Sequence, residues 1–177
     1  MRQPLFERLS ALGPGGVAVV SGPAGCGKTV LLRSWLDAEG LAGRVAWVTV
    51  ERGERDEQRF WLSVVDQLAA VTGDSLVERV SPTPSFRGVR VIERLASDLQ
   101  TLEVPAVLVI DDLHELRSAE ALRLLELFLT RVPSELRLVL STREAPRLGL
   151  HRLRLAGRLT EITGPELCFS LENSPRS

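Results

Sequence analysis

A chain of 177 residues, 44% hydrophobic and 25% charged, can build one full core but not two substantial ones. Lys plus Arg (22) nearly balance Asp plus Glu (23), which argues against a surface given over to nucleic acid or anionic lipid. Cys26 and Cys168 form neither a zinc spacing nor a disulfide framework, and no stretch has the length of a membrane span, so the expected compartment is the cytoplasm.

The opening segment, MRQPLFERLS, lacks the apolar run of a secretion signal. The first strand is expected at Val17–Ser21, running into a glycine-rich turn. A helix should follow over 28–39, with Leu31, Leu32, Trp35 and Leu36 inward and Gly40 as its stop. A second strand is expected over 45–50, then a charged loop, with Asp56 as the N-cap of the next helix. In that helix Phe60, Trp61, Val64, Val65, Leu68 and Ala69 recur at intervals of three and four, and Thr72, Gly73 and Asp74 end it.

Residues 81–85, SPTPS, read as loop, since prolines this dense block helix and central strand alike. Val89, Ile92, Leu95, Ala96 and Leu99 mark a further helix. The third strand is Ala106–Asp111. Ser118 is placed to cap a helix reaching about residue 131, which Pro133 prevents from continuing. Leu136–Thr142 is the fourth strand and 158–162 a weaker fifth. Short strands alternating with helices predict an α/β fold with a parallel sheet covered by helices.

GPAGCGKT, residues 22–29, matches G-x-x-x-x-G-K-[ST] at every fixed position, between an expected strand and an expected helix. A chance match in such a chain has odds on the order of one in a hundred or less at average Gly and Lys usage. Gly22, Pro23, Ala24, Gly25, Cys26, Gly27, Lys28, Thr29 and Val30 are the candidate nucleotide-binding residues. Glycines let successive N–H groups converge on a phosphate, and the helix N-terminus adds positive potential. Lys28 would reach the β- and γ-phosphates, and the Thr29 hydroxyl would ligate Mg2+. Cys26 occupies a free position of the loop; a redox role there would rest on the lowered pKa of a thiol at a helix N-terminus.

VLVIDD, residues 107–112, drives an apolar strand to a pair of acids. Alone, the pair is as good a turn signal as a metal site. Beside a phosphate loop, Asp111 becomes the second Mg2+ ligand. Asp112 has two readings: a base for the water that attacks the γ-phosphate, or a polar residue that senses that phosphate. His114 is either a catalyst or switch, or a hydrogen-bonded supporting residue. If the fourth strand lies between the first and third, Arg143 at its end points at the phosphates, where a guanidinium binds bidentately; otherwise it is a surface arginine. Arg147, Arg152, Arg154 and Arg158 form a basic cluster, read as a solvated face or a subunit contact.

GPAGCGKT, VLVIDDLHEL, LRLVLSTRE and APRLGLHRLRLAGRLTEI together resemble the nucleotide-binding domain of the large ATP-binding LuxR-type transcription regulators. These belong to the STAND class of signal-transduction ATPases and include the maltose-regulon activator. The resemblance implies a three-layer P-loop NTPase of the additional-strand type, with a five-stranded parallel sheet of order 5-1-4-3-2 spanning residues 1–170, and 171–177 as a tail or the start of a next domain. It implies ATP/ADP and Mg2+ as ligands and places Pro4 and Leu5 near adenine. Lys28, Asp112 and Arg143 are then the catalytic candidates, and Thr29 and Asp111 the metal ligands. It also implies self-association in the ATP state, and DNA contact only through domains absent from this chain. The function expected is a nucleotide switch with slow ATP hydrolysis. A P-loop small-molecule kinase or other metabolic ATPase, and a non-hydrolysing nucleotide-binding module, are the alternatives. GTPase chemistry is disfavoured because no N-K-x-D motif occurs.

Overall fold

A computed structural model describes residues 3–73 and 87–167. Elements follow in the order α1 (Gln3–Ser10), β1 (Val17–Ser21), α2 (Lys28–Ala38), β2 (Val45–Thr49), α3 (Glu57–Thr72), α4 (Gly88–Leu99), β3 (Ala106–Asp111), α5 (Ala119–Leu129), β4 (Leu136–Thr142), α6 (His151–Leu155) and β5 (Leu159–Ile162). The five strands form one parallel sheet of order β2-β3-β4-β1-β5, the expected order read from the other edge. The expected SPTPS loop, Asp74, Cys168 and the 171–177 tail lie outside the described residues.

The central strands are mostly apolar because both faces of the sheet are covered. All six residues of β3 are buried, and their alternation divides the core in two. Leu108 and Ile110 join Trp61, Leu95, Leu125 and Phe128 beneath α3, α4 and α5. Val107 and Val109 join Leu5, Leu9, Leu32 and Trp35 beneath α1 and α2. The result is the expected three-layer α/β/α sandwich. The α1–α2 side is tied by Trp35 Nε1–H donating to Ser10 Oγ (3.1 Å) and Ser10 Oγ donating to Glu39 Oε1 (2.7 Å). Arg8 pairs with Glu166, fixing α1 to the segment after β5.

Both expected caps form. Asp56 accepts the Arg59 N–H at 3.0 Å, and Ser118 Oγ accepts the Ala121 N–H at 3.1 Å. The expected α4 forms, with Ile92, Leu95, Ala96 and Leu99 buried and Val89, in its first turn, 39% exposed. Arg158 does not belong to a solvated basic face: its guanidinium donates to Gly15 O and Val132 O (3.1 and 2.8 Å), tying the start of β5 to neighbouring loops. The N-terminal segment, given no element from sequence, forms α1 and buries Leu5 and Leu9. No helix among the described residues is long and apolar enough to cross a membrane.

Candidate nucleotide site

The phosphate loop spans the gap between the end of β1 and the start of α2. Gly25 and Gly27 hold φ of +78° and +80°, values that favour glycine, and they fold the loop over the helix end. At Gly22 the constraint is close approach instead: a Cβ would come within 2.9 Å of Cys26 Sγ and 3.0 Å of Gly164 Cα. The Gly22 N–H donates to Thr142 O (3.2 Å), so the loop begins hydrogen-bonded to the end of β4.

Helix α2 has no side-chain cap. Among the described residues, the N–H groups of Gly25, Gly27, Lys28 and Thr29 have no acceptor. Four such donors at a helix N-terminus suit an anion with several oxygens. Lys28 is buried, and its ammonium donates to Gly22 O (2.6 Å) and Pro23 O (3.1 Å). Cys26 is also buried, beneath the loop, with Sγ 3.8 Å from Lys28 Nζ.

Asp111, 5% exposed at the end of β3, accepts the Thr29 hydroxyl at Oδ2 (3.1 Å) and the Asp112 N–H at Oδ1 (3.0 Å). Among the described residues no cluster of three or more His, Cys, Asp or Glu side chains could cage a metal. One hydroxyl and one carboxylate side by side suit Mg2+ instead, which draws its remaining oxygens from phosphate and water. The donor set therefore fits both a polyphosphate and Mg2+.

Asp112 has φ +56°, alone among the described non-glycine residues in being positive. This left-handed turn breaks the strand direction, and the half-exposed side chain lines the same cavity as the loop. That cavity of about 330 Å³ is lined by Ala24, Gly25, Gly27, Lys28, Thr29, Val30, Asp112 and Arg143. β4 does lie between β1 and β3, meeting the condition set for Arg143. The Arg143 side chain is exposed and has no hydrogen-bond or ion-pair partner among the described residues, leaving its guanidinium uncommitted. Pro4 is exposed on α1 and Leu5 is packed in the core; neither lines this cavity.

Ser141 was not singled out from sequence. It is fully buried and its Oγ has no hydrogen-bond partner. Two residues beyond Val139, as Asp111 is two beyond Val109, it shares with Asp111 the sheet face turned toward α2. A hydroxyl in the otherwise apolar run LVLS was the available signal.

Among solved structures, this fold is similar to Cdc6p from Pyrobaculum aerophilum, with 16% identity and a TM-score of 0.60 over 91% of this chain and 45% of that one. It is similar to the Aeropyrum pernix ORC1 protein in complex with DNA, with 25% identity and a TM-score of 0.58 over 93% and 45%. It also matches a chain of Drosophila ORC bound to AT-rich DNA and Cdc6, with 16% identity and a TM-score of 0.64 over 92% and 53%. The chain thus spans about half the length of each. The family described as AAA ATPase domain matches residues 3–141, which takes in the phosphate loop and both acids and stops just short of Arg143. With that match over most of its length, the chain belongs to the AAA ATPase domain family.

Proposed function

We propose that this domain is an ATP/ADP-binding switch with slow Mg2+-dependent hydrolysis, from a LuxR-type signal-responsive regulator of the STAND class. The observation that carries this reading is the single cavity in which the phosphate loop, Asp112 and an uncommitted Arg143 meet. Lys28 and the loop N–H groups bind the phosphates, and Thr29 with Asp111 hold Mg2+, which neutralises phosphate charge. Asp112 takes the proton of the attacking water. Arg143 contacts the γ-phosphate and so distinguishes ATP from ADP.

The regulator assignment is supported by the DD-x-H segment and by the RLRLAGRLTEI stretch around α6 and β5. Two neighbouring structures are complexes with DNA. For this chain, DNA contact would run through regions outside these 177 residues, and ATP would favour self-association. The kinase alternative gains no support from a second cavity of about 510 Å³. That cavity is lined by Arg44, Thr72, Glu103 and Ala106, at the edge of the sheet opposite the phosphate loop.

Thermal unfolding tests nucleotide binding. Ligand at 100 times its Kd adds about 2.7 kcal/mol, which for a domain of this size raises Tm by roughly 5–10 °C. ADP and ATP with Mg2+ should do so and GTP should not; no shift with either adenine nucleotide rejects the reading. Arg143→Ala should weaken ATP binding by about 10- to 100-fold, as expected for loss of a charged hydrogen bond, and leave ADP binding unchanged in calorimetric titration. Equal loss for both would remove Arg143 as the γ-phosphate contact.

A further inference from the structure

His114 neither binds phosphate nor holds Mg2+ in the proposed site. It sits on the single 3-10 turn Leu113–Glu115 that follows Asp112. Its side chain is 10% exposed, both ring nitrogens are sealed from solvent, and neither has a hydrogen-bond partner. A neutral imidazole carries one N–H and an imidazolium two, so such a ring leaves at least one buried donor unmet. Unmet buried donors are costly, and a native protein resolves them in some state.

Carboxylates flank the ring on both sides. Asp112 Oδ1 lies 3.9 Å from Nδ1, and Glu115 Oε1 lies 3.5 Å from Nε2. The two differ in freedom. Glu115 is 17% exposed and anchored, since its Oε2 accepts the Gly53 N–H at 3.1 Å. The Asp112 carboxylate is 46% exposed and faces the phosphate cavity, with nothing but the nearby ring to hold it among the described residues.

We propose that His114 is a positioning residue for Asp112. Both ring N–H groups donate: Nδ1–H to the Asp112 carboxylate, fixing it in the cavity, and Nε2–H to Oε1 of the anchored Glu115, which holds the ring. No covalent bond forms or breaks at the ring: the proton taken from water goes to Asp112, and His114 sets where that carboxylate stands. The chain Gly53–Glu115–His114–Asp112 then joins the loop between β2 and α3 to the phosphate site. The proposal rests on the role given to Asp112 above, but its geometric part is measurable without turnover.

The chain has two histidines, so nitrogen-15 histidine labelling yields two imidazole signal sets, and His151→Ala identifies those of His114 by elimination. With Mg2+ and a non-hydrolysable ATP analogue bound, both ring nitrogens of His114 should carry a hydrogen. Asp112→Asn should shift the Nδ1 resonance and Glu115→Gln the Nε2 resonance. An Nδ1 signal unmoved by Asp112→Asn overturns the proposal, whether or not the domain hydrolyses ATP. In turnover, His114→Ala should lower kcat about 10-fold with KM for ATP unchanged, the scale seen when a supporting hydrogen bond to a functional group is lost. His114→Asn, which keeps a short N–H donor, should recover part of that loss. Equal kcat in wild type and both variants overturns the positioning role. If Asp112→Asn turns over normally while the Nδ1 shift is present, the reading of Asp112 as base fails and the contact stands.

Discussion

Replacing Asp112 with Asn should leave ATP affinity intact and lower the rate of phosphate release by about a hundredfold or more, the scale of a lost general base. The substitution isolates chemistry from backbone. Asp112 holds φ +56°, a conformation that Asn tolerates nearly as well as Asp, whereas a residue without a short polar side chain would strain the turn. The Asp112 N–H bond to Asp111 Oδ1 is also kept, so the carboxylate that would hold Mg2+ with Thr29 stays in place. What changes is that an amide oxygen cannot take a proton. Single-turnover phosphate release together with calorimetric titration separates the outcomes. Unchanged release with weaker ATP binding would make Asp112 a phosphate sensor and not a base.

Trp61→Ala should cost about 3–5 kcal/mol, a large share of the roughly 5–15 kcal/mol that holds a domain folded. Trp61 is fully buried on α3 and meets Phe60 and Phe128 edge-on at centroid distances of 5.3 and 5.9 Å, thereby joining α3 to α5. Truncation leaves a cavity that these rings cannot close without moving helices. Trp61→Phe should cost distinctly less. The indole N–H has no hydrogen-bond partner, so removing it also removes an unpaired buried donor. Urea unfolding followed by circular dichroism measures both, and a Phe variant as unstable as the Ala variant would refute the argument. Nucleotide at 100 times its Kd should return about 2.7 kcal/mol of the Ala loss.

Strands β1, β3 and β4 are legible to the residue because they are buried on both faces, so apolar runs mark their extent and polar residues mark their ends. The phosphate loop is legible because its backbone demands glycine at fixed places. Helix α1 is hidden by its shortness: Leu5 and Leu9 give one apolar turn, and Pro4 in the same segment reads as a breaker, although proline is tolerated in a first turn. Helix α6 has five residues, too few for a period to show. The site was legible as residue types, and the placement of Arg143 followed once β4 lay between β1 and β3. What sequence does not carry is the positive φ of Asp112, the unpartnered hydroxyl of Ser141, and the pair of carboxylates around His114. Each depends on which groups lie adjacent after folding.

Lys28 donates to the carbonyl oxygens of Gly22 and Pro23, so its charge already has neighbours within its own loop. Phosphate arrival is therefore an exchange reaction and not a simple addition. The ammonium gives up two acceptors to reach an incoming oxygen, and net affinity is the difference between the two sets of bonds. A ligand offering one or two oxygens gains little from that trade. A polyphosphate also engages the free N–H groups of Gly25, Gly27 and Thr29 and gains from each. The loop thereby discriminates against small anions without any side chain placed to repel them.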